Sequence, residues 1–191
     1  MRLHRTCRTS LVLLLAGMAG AISGWTQTPV AKEVVTEPEF ADVFFRLDAG
    51  KLVPLEHQTA YIHVESSGFI VMNTRTSYEI PGTKSPVRFR SDQPLDFVVR
   101  SLFAPSAVDP STFYLLRRLD SKKKTRGLIV TVGHANPGGA TVNNDPTQGA
   151  LPVTFARYGD SSLKMTTAPL PPGEYALSRS YVLTLFCFGV D

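Results

Sequence analysis

The densest group of charged side chains lies in the stretch "RRLDSKKKTR", residues 117–126. Its basic members, set against a single acidic residue, are Arg117, Arg118, Lys122, Lys123, Lys124 and Arg126. Apolar runs typical of strands flank the stretch, so we expect its lysines at the tip of a hairpin. Such a tip would attract anionic polymers such as acidic glycans or other polymers of the cell envelope. The alternative is a solvated tip whose lysines prevent an edge strand from pairing with other sheets.

A second candidate for binding is the stretch "GHANPGGATVNNDPTQGA", residues 133–150, which is rich in Gly, Pro and Asn. The sequence predicts it to be the longest loop of the protein, and long loops on a rigid scaffold often carry binding. The side chains that could recognise a ligand there are His134, Asn136, Asn143, Asn144 and Asp145. One carboxylate is too few for a typical calcium site. The alternative interpretations are local Asx turns and plain disorder.

The spacing of the histidine, serine and cysteine residues gives little support for a catalytic site. Beyond residue 24 the histidines are His57, His63 and His134, without the spacing of a zinc site. No serine lies in a G-x-S-x-G elbow. Cys187 lies within the apolar run "LTLFCFGV" and is expected to be an inert core residue. We therefore predict no catalytic residue, metal or cofactor, with a small β-fold hydrolase using His57 or His134 as the alternative.

The N-terminal residues 1–24 have the layout of a secretory signal peptide, with arginines followed by the apolar run "LVLLLAGMAGAI". Three of the 20 Lys and Arg residues, and none of the 16 Asp and Glu residues, lie in this segment. A mature chain would be close to neutral, which disfavours binding of nucleic acid. No second apolar run is long enough to span a membrane. We expect a flexible leader over residues 25–39 and one domain over residues 40–191.

The predicted domain has the period of two that is typical of strands. In "AYIHVE", Ile62 and Val64 alternate with polar residues, and turn formers separate such runs every 8 to 12 residues or so. "ADVFFRLDAGKLVPLE" indicates a hairpin with its turn at "DAGK". With ten or so short strands and no convincing helix, the sequence predicts an all-β antiparallel sandwich, immunoglobulin-like or jelly-roll-like.

The C-terminal stretch "LPPGEYALSRSYVLTLFCFGVD" begins with a turn and ends in a run that is apolar on both faces. We expect that run in the middle of a sheet covered on both sides, or at a contact with another chain. Tyr175, directly after the turn, resembles the tyrosine corner of immunoglobulin-like sandwiches. The "PGEY" turn is also similar to turns of many secreted bacterial sandwich modules. The resemblance implies a buried ring whose hydroxyl bonds to loop backbone, and it brings no catalytic residue.

These observations lead to an exported, non-catalytic β-sandwich that acts as a binding or structural module in the periplasm, at the bacterial cell surface or in the secreted fraction. The expected partner is an anionic envelope polymer or glycan, or another envelope protein. A third hypothesis is a subunit of a surface assembly, which pairs with its neighbour through the last strand or a sheet edge.

Overall fold

A computed structural model describes residues 35–104, 107–145 and 147–191, which belong to one compact unit. The predicted signal peptide, residues 1–24, and most of the predicted leader lie outside the described residues. The strands of the described chain, in order, are β1 (Phe44–Asp48), β2 (Lys51–Pro54), β3 (Glu56–Thr59), β4 (Tyr61–Ser67), β5 (Met72–Pro81), β6 (Arg88–Phe89), β7 (Asp96–Arg100), β8 (Tyr114–Ser121), β9 (Thr125–Asn136), β10 (Gly139–Asn143), β11 (Ala150–Leu151), β12 (Val153–Tyr158), β13 (Ser162–Thr167), β14 (Gly173–Arg179) and β15 (Thr184–Val190).

These strands form two sheets. The smaller sheet has the order β12-β13-β7-β1-β2, and the larger has the order β3-β15-β14-β8-β9-β5-β4. The larger sheet also holds β10 against β9, β11 against β8 and the short β6 parallel to β15, while the other pairs are antiparallel. The prediction of an all-β, antiparallel, sandwich-like fold is confirmed. One short 3-10 helix, Pro110–Thr112, precedes β8, and the described residues include no helix able to cross a bilayer.

The main core lies between the smaller sheet and strands β8, β14 and β15 of the larger one. Alternate residues of each strand point into it, as a period of two requires. Phe97 of β7 meets Phe188 of β15 with ring centroids 5.0 Å apart, and Tyr175 of β14 stacks on Phe188 at 5.6 Å. These three rings are almost fully buried. Aromatic packing therefore joins the two sheets.

The last strand, β15, is covered on both faces, as predicted. Phe186 and Phe188 enter the main core. Leu185 and Cys187 enter a second apolar cluster on the opposite face of the larger sheet. Burial raises the pKa of the Cys187 thiol to about 12, so it stays protonated and inert. Strand β15 also pairs along its edges with β14, β3 and β6. The last strand is thus occupied within the chain, and assembly through it loses its support.

Two turns follow the predicted chemistry. The Tyr175 hydroxyl donates a hydrogen bond of 2.6 Å to the backbone oxygen of Pro171, which confirms the expected role of this residue. In the β1–β2 turn, Ala49 and Gly50 both have positive φ, 46° and 80°. Positive φ at both central residues defines the type I′ turn that best joins two twisted strands.

The larger sheet divides where β8 and β9 separate. These two strands pair only at their adjoining ends, through Asp120 and Ser121 of β8, and β9 then continues beside β5. We use the term arm for β4, residues 72–76 of β5, residues 131–136 of β9 and β10. The prediction of one long loop over residues 133–150 is wrong, because these residues include the end of β9 and all of β10. Every residue of β4 and β10 is exposed.

Candidate binding surfaces

The predicted basic residues do not lie together on one surface. Arg117 and Arg126 are buried, with exposed fractions of 8% and 1%. Arg126 donates hydrogen bonds to Glu56 and to the backbone oxygens of Pro81 and Gly82. Arg117 and Arg126 therefore do not contribute to an exposed basic patch at the hairpin tip, because the larger sheet curls and encloses them.

The remaining basic residues differ in how far they are engaged. Lys122 forms ion pairs with Glu79 at 2.5 Å and with Glu65 at 3.4 Å. The Glu79 hydrogen bond is the main cause that raises the pKa of Lys122. Arg118 is exposed and donates to the backbone oxygen of Pro172, and Lys122, Lys123 and Lys124 are exposed as well. Charge available for an anionic polymer is therefore smaller than the sequence indicates.

Two polar residues of the predicted loop, Asn143 and Asp145, form local turns, as the alternative interpretation held. Asn143 Oδ1 accepts a hydrogen bond from the Asp145 amide, and Asp145 Oδ1 accepts from the amide and the hydroxyl of Thr147. The Thr147 backbone bond is the main cause that lowers the pKa of Asp145. Asn144 follows β10 directly. The carboxylate of Asp145 is therefore ionised at neutral pH and hydrogen-bonded within its own turn.

The histidines lie in surroundings that differ from those of a catalytic dyad. His134 Nδ1 is 2.8 Å from the amide oxygen of Asn73, and the His57 ring stacks on Phe186 at 5.0 Å. His63 contacts Glu65 on the exposed strand β4. Within the described ranges, no group of three or more His, Cys, Asp or Glu residues is placed to hold a metal ion. The hydrolase hypothesis gains nothing from this geometry.

The arm has one uncharged face and one charged face. Register places Val64, Thr76 and Thr131 side by side on three neighbouring strands. The next rows on the same face are Ser66, Thr74, Gly133 and Val142, then Met72, Ala135 and Ala140. The charged and imidazole side chains of the arm point to the opposite face, and they are His63, Glu65, Arg75 and His134. Sequence alternation predicts this division for β4 but not for the whole arm.

The uncharged face is also strongly exposed. Ile62, Val64, Met72 and Val142 have exposed fractions of 57%, 56%, 48% and 67%. A groove of about 240 Å³ crosses this face between β5, β9 and β10, with Gly133 in its floor. At the β4–β5 turn, Phe69 is 99% exposed. An apolar surface of this extent is typical of an interaction site.

A cleft lies on the same side of the sheet, where the arm joins the sandwich. It has a volume of about 220 Å³, and Thr131 belongs both to its wall and to the groove. Three residues of the predicted binding set meet there, since Arg117, Asn144 and Asp145 all line the cleft. Sequence reasoning missed the two tyrosines, Tyr78 and Tyr181, that complete its wall. They come from distant segments, and no local pattern joins them.

Comparison with known protein families, with curated proteins and with solved structures finds no match for this chain.

Proposed function

We propose that the protein is an exported, non-catalytic assembly module that binds a second copy of itself through the uncharged face of its arm. The observation that carries this proposal is the arm's division into faces: a four-stranded sheet with an apolar, uncharged face that the described chain leaves exposed. A sheet with one apolar face is stable when another layer covers that face. Export is supported by the signal-like layout of residues 1–24.

A second copy suits this face because of its charge distribution. No Asp, Glu, Lys or Arg occurs in residues 66–74 or 132–144. Two identical faces can therefore meet without repulsion between like charges and without burying an unpaired charge. Sheets packed in this way lie about 10 Å apart, with their inner side chains interdigitated. The groove above Gly133 gives such a side chain a place to enter.

The size of the face predicts a weak dimer. Four strands about 4.8 Å apart and roughly 24 Å long give a footprint of about 450 Å² on each copy. Standard interfaces bury about 800 Å² per partner. The exposed turn around Phe69 adds to the contact area, but we still expect a dissociation constant in the micromolar range or weaker.

Analytical ultracentrifugation of the purified protein over a range of concentrations tests the proposal. We expect a concentration-dependent dimer that Ile62→Lys abolishes, because the new ammonium group would be buried at the interface. His63→Lys is the matched control, since it introduces the same side chain at the next residue but on the charged face, and it should leave the dimer intact.

Three results would overturn the proposal. The first is a protein that stays monomeric up to about millimolar concentration. The second is an equal loss of dimer in both variants, which would indicate a general charge effect. The third is a monomer that sediments with phosphatidylcholine vesicles in an Ile62-dependent manner, which would make the face a lipid-binding surface instead. Export has its own test, since N-terminal sequencing of protein from the extracytoplasmic fraction should show cleavage between residues 21 and 27.

A further inference from the structure

The cleft at the base of the arm carries a second inference, which goes beyond self-assembly. Its walls come from β5, β8, β9, the segment after β10 and the β14–β15 turn. Its volume of about 220 Å³ is below the 300–1,000 Å³ that is usual for drug-sized ligands. A ligand must therefore be small, or must insert only one unit of a longer chain.

The charges of the cleft balance. Arg117 and the ionised Asp145 both line the cleft. Burial lowers the pKa of Arg117, while the nearby Tyr78 and Asp145 act in the opposite direction. Arginine nevertheless stays protonated in proteins. A phosphate or carboxylate ligand would gain from Arg117 but would be repelled by Asp145, so a neutral ligand fits this pair better.

The cleft offers hydrogen-bonding groups of both kinds. Gln148 Oε1 is buried without a hydrogen-bond partner in the described chain, and Gln148 is one of the residues that line the cleft. A buried acceptor without a donor costs free energy unless a ligand or water supplies one. Asn144 adds an amide, which both donates and accepts. A hydroxyl group can both donate and accept hydrogen bonds, so a ligand rich in hydroxyls would satisfy the hydrogen-bonding groups of the cleft.

The tyrosines give the cleft a partly apolar wall. Tyr181 stands at the rim with 77% of its surface exposed, and its backbone has a φ of +60°. A bulky residue rarely adopts this strained left-handed conformation, and such residues cluster at functional sites. Tyr78 is half-buried on the opposite wall. Tyrosine rings present a flat apolar surface together with a polar hydroxyl.

We infer that this cleft binds one unit of a neutral saccharide. The sugar's hydroxyls meet Gln148, Asn144, Asp145 and Arg117, and its C–H surface lies against the tyrosine at the rim. This ligand differs from the anionic polymer that the basic stretch favours, because Asp145 lies near Arg117 and lines the same cleft. The strained Tyr181 is explained if its ring is held at the rim for the ligand and not for the fold.

Isothermal titration with cellotetraose, maltotetraose, chitotetraose and the anionic tetragalacturonate tests the inference. We expect millimolar or tighter binding of at least one neutral probe and weaker binding of tetragalacturonate. Tyr181→Gly should weaken binding at least tenfold. The same change should leave thermal stability equal or higher, because glycine adopts positive φ without strain. Tyr61→Ala, which removes an exposed tyrosine of the arm, is the matched control and should bind as the unmodified protein does.

The outcomes separate this inference from the proposed assembly. Met72→Lys, which also introduces a charge on the uncharged face, should bind the saccharide normally, because Met72 lines the groove and not the cleft. Binding of no neutral probe, preference for tetragalacturonate, or full binding by Tyr181→Gly would each overturn the inference. None of these results bears on whether the arm forms a dimer.

Discussion

Strand β9 passes through two environments, and the contrast between them separates what holds this fold together from what it presents to a partner. At the start of β9, Arg126, Gly127 and Leu128 are buried within the packed part of the larger sheet. At its end, residues 131–136 keep the same neighbour, β5, but lie in a sheet that is exposed on both faces. Hydrogen bonding thus continues where packing ends, because a ladder needs only a neighbouring strand and a core needs a second layer.

The largest expected difference between core and arm is in the free energy of unfolding that is lost when a phenylalanine is replaced by alanine. Phe188→Ala in the main core should lower the free energy of unfolding by about 3–5 kcal/mol, because it removes a buried ring between Phe97 and Tyr175. Phe69→Ala in the β4–β5 turn, which joins two strands of the arm, should leave it unchanged, since Phe69 is fully exposed. Urea unfolding at a concentration where the protein is monomeric measures both. A large loss in Phe69→Ala would mean that the arm is covered by its own chain.

Two glycines of β9 provide a finer comparison on a single strand. A Cβ at Gly127 would lie 2.4 Å from the backbone oxygen of Tyr78, so the strands must move apart. We expect Gly127→Ala to cost about 1–3 kcal/mol. A Cβ at Gly133 would be 3.6 Å from Thr74, an ordinary contact, so Gly133→Ala should be neutral or slightly stabilising in the monomer.

Substitutions at the same two glycines also test the assembly proposal. Gly133→Ala fills part of the groove on the uncharged face and should alter dimerisation without altering the fold. Sedimentation and urea unfolding of the two variants would show whether the two effects separate in this way. If Gly133→Ala also destabilised the monomer, β9 would be packed along its whole length and the division between core and arm would fail.

The contrast also accounts for how much the sequence could predict. Where packing decides the structure, the sequence was informative: the apolar pattern predicted that both faces of β15 are covered, and the turn residues predicted the hairpin at Ala49 and Gly50. Where only hydrogen bonding extends the sheet, as at β10, the sequence pattern did not predict the strand. Strand β10, "GATVN", has little bulky apolar content, and its pairing with β9 depends on a partner rather than on a pattern.

The positions of the two arginines could not be predicted for a different reason. Arg126 is buried because Glu56 and Glu174, from β3 and β14, lie beside it in the curled sheet. These partners are distant in sequence, and a basic stretch normally indicates a solvated surface. The cleft around Arg117 shares this property, because its tyrosines and amides meet only after β8, β9 and the β14–β15 turn are assembled.

The smallest predicted effect concerns Glu37, at the end of the predicted leader. Its carboxylate accepts hydrogen bonds from the Asp160 and Ser161 amides and from the Ser161 and Ser162 hydroxyls at the β12–β13 turn. Burial alone would raise the pKa of Glu37, but these bonds outweigh it and lower the pKa to about 2. Glu65 of the arm also has a lowered pKa, chiefly through Lys122, but it lies exposed in solvent.

The Glu37 contribution has a defined sign with pH. Since the folded-state pKa lies below the ordinary value of 4.5, the stabilisation is complete above about pH 4.5 and is lost as the pH falls toward 2. Glu37→Gln should therefore cost about 1–2 kcal/mol at neutral pH after allowance for solvent screening, and the difference from the unmodified protein should shrink on acidification. Glu65→Gln should change neither quantity measurably. Equal pH profiles for the protein and Glu37→Gln would mean that this carboxylate does not fasten the chain to the sandwich, because a residue that titrates alike in the folded and unfolded states contributes no pH-dependent stability.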